Sequence, residues 1–376
     1  MTSRERLLAV LNRQIPDHVP VMPDLSNMVP ARLTKKPFWD IYLYQNPPLW
    51  SAYIDCVKYF GFDSLWDAYY VSIPLDTSAA ERDIKTAIVF KSEDRLVTQK
   101  FKYTNGKRHW HATVDMYYRD NPPNMGISPH AVHLPKEPDK FELVEEIRQW
   151  PAGEELLKIL KSKLGDRGIV GASCGTSCLV GYGEICDYFD DPQKFYDRRD
   201  YLLDHFEKVF AKILSFSCRP DFISTGASGT LINQTPQMFR ELGLPIVKKM
   251  TALAKKHGFF SHIHSCGPET ALVKICAEET DLTVIDPLEV PPMGDCDLKE
   301  LKKLYGHKLV LKGNLHTTKV MLHGSKQDVI DASKKAIDDA AEGGGFILST
   351  GDQCGRDTPD ENIFAMVETA KTYGRY

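Results

Sequence analysis

A surplus of positive charge is missing from this sequence: 47 Lys and Arg stand against 51 Asp and Glu, a net charge of −4. Without spare cations to neutralise phosphates, a general nucleic-acid binder is not expected. Small molecules or protein partners remain. Long apolar runs are missing as well. The N-terminal stretch MTSRERLLAVLNRQIPDHVPV interleaves charges with leucines and predicts a short amphipathic helix rather than a signal peptide. No membrane span is expected, and the cytoplasm is the expected compartment. Internal repeats and low-complexity tracts are absent, and the proline-rich LEVPPMGD is a loop rather than a linker. What is present is an ordinary globular balance, 42% hydrophobic and 26% charged, over 376 residues. That length holds either one large barrel with an insertion or two ordinary domains. Nine cysteines in a chain without an export signal are expected to be reduced, and most to be inert core residues.

Strand-like runs recur at 18–24, 63–71, 167–175, 221–228, 259–267, 283–290, 308–315 and 344–352. Between several of them lie amphipathic stretches such as TPQMFRELGLPIVKKMTALAKKHG and SKQDVIDASKKAIDDAAEGG, with apolar residues at helical spacing and glycine at the stop. Alternating strands and helices of this number predict an α/β fold, a parallel (β/α)8 TIM barrel formed by residues 1–376 as a single domain. One region breaks the rhythm. Residues 84–120 read strand, turn, strand, and Asn105-Gly106 within TNGK is a strong hairpin signal because both positions tolerate positive φ. We therefore expect an antiparallel β-hairpin insertion between strands 2 and 3, at about 80–135. A cap over the barrel mouth, a surface decoration and a homodimer contact are open roles for it.

Chemistry in a barrel of this kind collects where strands end. The run SHIHSCGPE places His264 and Cys266 at such an end, and STGDQCGRDTPDEN places Cys354 at another. Two thiolates and an imidazole make a three-ligand zinc set with one open position, the catalytic rather than the structural pattern. The second cysteine lies far along the chain, so only the fold can bring it in. Read as residues alone, buried thiols and a core histidine compete with that set. His262 shares a strand face with His264 and either helps bind metal or packs inside. Asp286, Glu289 and Asp352 sit at neighbouring strand ends, where one of them would fill the fourth position or orient His264, Glu289 being preferred. Asn314 and His316 in GNLHTT either position substrate or form the turn into a helix. Cys174 and Cys178 share a face only if helical, and the Gly and Ser around them favour a loop. The aromatic residues between 39 and 70 line a pocket or fill a core, more often the latter.

HSCG, LKGNLHTT and the tail GGGFILSTGDQCGRDTPDENIFAMVETAKTYGRY resemble the uroporphyrinogen decarboxylase superfamily, and within it the corrinoid-dependent branch typified by methylcobalamin:coenzyme M methyltransferases. The resemblance runs from RERLLAVLNRQIPDHVPV to the C-terminal YG. It implies a His-x-Cys…Cys zinc motif on His264, Cys266 and Cys354, and a corrinoid presented by a separate protein. Consistent with a separate carrier, no Asp-x-His-x-x-Gly signature occurs in the chain. The substrate gripped by arginines in true uroporphyrinogen decarboxylases has no match here, since VPVMPDLSNMVPARL holds one arginine. The implied activity is methyl transfer between a corrinoid protein and a small molecule, either a thiol acceptor or a methoxyarene donor as in O-demethylation. Glu289, Asp286 and Asn314 are its candidate catalytic residues. A decarboxylase and a non-catalytic binding barrel are the competing readings.

Overall fold

The computed structural model describes residues 1–65, 71–75, 84–144, 151–226 and 228–376. Its strands in chain order are β1 (Val71–Ser72), β2 (Lys85–Lys91), β3 (Arg95–Thr104), β4 (Lys107–Tyr118), β5 (Asn124–Ile127), β6 (Glu142–Leu143), β7 (Gly171–Thr176), β8 (Phe222–Gly226), β9 (Phe260–His264), β10 (Val284–Asp286), β11 (Val310–Leu315) and β12 (Phe346–Thr350). They divide into two sheets, and the chain divides into two compact units.

The first unit comprises Met1–Ser26, Val57–Leu75 and Ala152–Tyr376. It holds a parallel sheet in the order β1-β7-β8-β9-β10-β11-β12, with helices between most successive strands. Local sequence explains those helices. Ser325 and Asp328 form a capping box on helix Lys326–Ala340, and Thr235 caps Pro236–Leu242, whose first residue is the proline favoured there. Helix Ser3–Leu11, capped by Thr2 and Glu5, packs Leu7, Val10 and Leu11 against Phe222, Val284 and Val310, which open β8, β10 and β11. The N-terminal ends of the strands are thereby covered, and chemistry is left to the other ends.

Two expected strands differ. The run 18–24 makes only two isolated bridges, His18 to Arg375 and Val21 to Leu348 of β12, because Pro20 and Pro23 have no N–H to continue a ladder. The same segment is nonetheless tied on both sides: the Met22 amide donates to Leu348 O at 2.8 Å, and the Asp63 amide donates to Val21 O at 2.9 Å. In the run 63–71, β1 keeps Val71, and residues 66–70 lie outside the described residues.

The second unit comprises Asn27–Cys56 and Asp76–Pro151. Its sheet is antiparallel, in the order β5-β4-β3-β2-β6. The Asn105-Gly106 turn joins β3 to β4 with φ of 54° and 75°, and Thr104 pairs with Lys107 across it. The expected hairpin is thus a five-stranded sheet. β5 and β6 are four and two residues long, too short for an alternating pattern to announce them. Most aromatic residues from the 39–70 stretch that fall in this unit are core: Trp50 and Tyr53 are buried, Trp39 and Tyr42 pack on Leu43, Leu96 and Tyr117, and Tyr44 is exposed.

Candidate functional site

Parallel pairing sets Gly226, His264 and Asp286 level with one another at the C-terminal ends of β8, β9 and β10. Strand alternation sends His262 and His264 to the same face, and both converge on Asp286. Asp286 Oδ1 lies 3.0 Å from His264 Nδ1 and 3.1 Å from His262 Nε2, while its Oδ2 accepts from Lys312 Nζ at 2.6 Å. His262 Nδ1 is 3.0 Å from Ser224 Oγ. Asp286, His262 and Lys312 are sealed from solvent, and His264 keeps 13% exposure. Burial works to raise the Asp286 carboxyl, yet Lys312 and the two histidines overcome it and hold the group well below the usual range. Burial likewise lowers the basicity of His262.

The turn after β9 carries Cys266. Gly267 adopts φ +95° and leaves no room for a Cβ beside Ile232, so glycine is required there. Its amide donates to Glu289, a buried carboxylate whose acidity burial weakens. The next turn is held from both sides. Leu288 sits at φ +60°, a costly conformation for a branched residue. Its amide donates to Glu269, and its carbonyl accepts from Asn314 Nδ2 at 3.1 Å. Asn314 therefore braces the backbone next to Glu289. Glu269 is wholly buried, and desolvation pushes its carboxyl well above the ordinary range. His316 spends Nδ1 on the amides of Thr318 and Lys319, at the start of the following helix.

Cys354 is fully buried after β12. Its amide donates to Asp24 O at 2.8 Å, and its carbonyl accepts from Ser26 Oγ at 3.0 Å. Burial, reinforced by the charge of Asp24, pushes its thiol up to about 12. Burial also raises the half-buried Cys266 thiol, with the charge of Asp352 adding to it. Asp352 is the common neighbour: its Oδ1 is 3.7 Å from His264 Nε2, and its charge reaches Cys266, Cys354 and Asp24. Among the described residues no three His, Cys, Asp or Glu side chains stand close enough to grip an ion as posed. The donor chemistry nevertheless suits zinc. His264 gives Nδ1 to Asp286, which is how a metal-binding imidazole is oriented with Nε2 outward, and the thiols of Cys266 and Cys354 both feel the charge of Asp352.

Cys174 lies buried within β7 and Cys178 beyond it, so this pair sits in strand and loop. Cys178 Sγ accepts from Gln234 Nε2 at 3.5 Å. Sequence reasoning missed Asp24, Glu269 and Lys312. Asp24 ends a recognised strand run, and the rule that polar strand ends carry chemistry would have found it.

A parallel α/β scaffold with an antiparallel insertion and polar groups at its strand ends is the class defined so far. Residues 217–373 match the family model described as uroporphyrinogen decarboxylase (URO-D). The chain is a distant homologue of the methylcobamide:CoM methyltransferase MtbA of Methanosarcina acetivorans, 28% identical over 225 residues, 58% of this chain and 62% of that protein. The Methanosarcina mazei protein of the same name is 28% identical over 139 residues, 36% of this chain and 37% of its own. The chain thus spans less than two-thirds of the length of these relatives. A solved methyltransferase from Methanosarcina mazei superposes with a TM-score of 0.60 at 16% identity, covering 99% of both chains, a likeness of fold. Among the described residues no helix is long and apolar enough to cross a membrane.

Proposed function

We propose that this chain is a zinc-dependent methyltransferase of a corrinoid system, moving a methyl group between a corrinoid carried by a separate protein and a small thiol. The observation that supports the reading is the His264–Asp286 pair, which leaves Nε2 on the side of Asp352, 3.7 Å from its Oδ1. The names of the distant relatives support corrinoid and thiol as the two substrates. We also infer that the parallel sheet closes as a (β/α)8 barrel through residues 20–22, which bond to β12 and to Asp63.

His264 Nε2, Cys266 Sγ and Cys354 Sγ would hold the zinc ion, which supplies a Lewis acid able to keep a bound thiol ionised near neutral pH. As thiolates beside a neutral histidine, the two cysteines bring two negative charges, so a substrate sulfur added to them stays electron-rich. Asp286 fixes the imidazole, and Lys312 compensates its charge. Glu289 fixes the Cys266 turn through Gly267, and Asn314 with Glu269 holds Leu288 in place. Transfer from the corrinoid substrate would be an in-line attack of the thiol sulfur on the methyl carbon, the carbon–cobalt bond breaking with its electron pair left on cobalt.

Metal analysis and an assay with methylcobalamin and small thiols test this. About one zinc per chain, lost together with activity in Cys266→Ala, is the expected result. Wild-type protein that binds no zinc overturns it. Activity only with methoxyarenes and reduced corrinoid would reverse the direction of transfer and replace the thiol.

A further inference from the structure

Arg4, Arg6 and Arg13 lie close together in the sequence, and only the last is not spent on a carboxylate. Arg4 pairs with Asp221 at 2.6 Å, and Arg6 pairs with Asp17 and Asp63 at 2.7 Å each. Arg13, just past the end of helix Ser3–Leu11, has no carboxylate partner among the described residues, and its guanidinium donates to Gly306 O. Its backbone sits at φ +61°, a place at a helix end that glycine ordinarily takes, and its amide closes the helix on Val10 O at 2.9 Å. Lys302 and Lys308 share its condition. Lys302 Nζ donates to Gly344 O, Lys308 Nζ donates to Ala277 O at 2.9 Å, and neither makes an ion pair among the described residues. Each carbonyl takes one N–H of a group that carries several, so donors remain for a ligand. Arg13 Nη2 and Lys302 Nζ each stand 3.8 Å from the point that a Cβ on Gly345 would occupy, which makes the two cations close neighbours. Burial and then the Arg13 charge lower the Lys302 ammonium, while the charge of Glu342 opposes them. Like charges this close repel, and an anion beside them relieves the repulsion.

Arg13 and Lys308 also line one cavity, of about 540 Å³, at the N-terminal ends of β9 and β11 and so at the opposite strand ends from His264. Leu11, Phe260 and Val310 are among its apolar walls. Asp281 is the one carboxylate of the lining and is already paired with Lys255 at 2.5 Å, so Arg13 and Lys308 leave the cavity with a surplus of positive charge. We propose that this cavity binds a small organic oxyanion with an apolar body. Its charged end sits on Arg13 and Lys308 with Lys302 adding attraction, and its body lies against Leu11, Phe260 and Val310. A guanidinium presents its N–H groups in a plane that matches two oxygens of a carboxylate or a phosphate ester. The site is separate from the strand ends that carry His264, and the inference does not rest on the zinc reading.

Calorimetric titration of the protein with benzoate and with phenyl phosphate is expected to show saturable binding that weakens with added salt, and benzyl alcohol is expected not to bind. Arg13→Gly should weaken both anions by at least about tenfold. Its melting temperature should hold or rise, because glycine is at ease at positive φ, so lost binding is not lost folding. Lys308→Ala should weaken them as well, and Asp281→Asn, which removes the one carboxylate of the lining, should tighten them. No saturable binding of either anion by the wild-type protein overturns the proposal. So does wild-type affinity in both Arg13→Gly and Lys308→Ala, the result expected if these side chains only cap helix ends.

Discussion

In the parallel sheet Lys312 and Asp286 are closed off from water and locked to each other, whereas in the antiparallel sheet Lys85, Lys102 and Arg108 stand in solvent. The contrast follows from the way each sheet is covered. β11 is buried along its whole length, so an ionic side chain there must find a partner inside. β3 is buried over Leu96–Gln99 and turns its charges outward beyond that, with Phe101 buried between exposed Lys100 and Lys102. Its neighbour Arg108 lies over the rings of Phe141, Trp110 and Phe101 at 4.6, 5.3 and 5.7 Å from their centroids, with its charge still hydrated. Charge is therefore cheap in the second unit and costly in the first. An ionisable residue in the parallel sheet is informative, and the same residue type in the antiparallel sheet is ordinary surface.

Substitutions across the two sheets test that contrast. Lys312→Met leaves Asp286 as an uncompensated buried charge and should cost about 3–5 kcal/mol in denaturant unfolding. Much of that loss should return in the double variant with Asp286→Asn. A single variant as stable as wild type would erase the difference between the sheets. Asp286→Asn alone should lower zinc affinity by about 10–100-fold in chelator competition, because the orienting acceptor of His264 is gone. Arg108→Ala in the antiparallel sheet should cost only about 0.5–1 kcal/mol and leave zinc binding untouched.

The smallest effect is expected at the rim of the first unit, where Arg198 and the Gly181 amide hold the Glu184 carboxyl at about 2 rather than 4.5. A carboxyl lowered in the folded state stabilises above its unfolded value, so this contribution is present at neutral pH and fades as pH falls from 4.5 toward 2. The pair is about a third exposed and screened, and Glu184→Gln should flatten the acid limb of a melting-temperature profile only slightly.

Much of this was legible in the residues. The runs that became β8 to β12 are apolar and bounded by glycine or polar residues, and Asn105-Gly106 announced its turn. Pro20 and Pro23 were visible too, and their missing donors explain why 18–24 makes two isolated bridges instead of a strand. Less legible was the extent of the insertion, because β5 and β6 are short and owe their existence to pairing with β4 and β2. His264, Cys266, Asp286, Glu289 and Cys354 were readable as polar groups at strand ends. Which of them touch was not.

The sequence alone determined the alternation of strands and helices, the hairpin tip and the chemical types available at each strand end, because periodicity and turn chemistry act over a few neighbouring residues. Tertiary structure alone decided that Asp286 grips His264, that Lys312 balances Asp286, that Asn314 and Glu269 brace Leu288, and that Asp24 lies against Cys354. Those pairings depend on strand register and on removal from water, and both arise only when distant segments pack together.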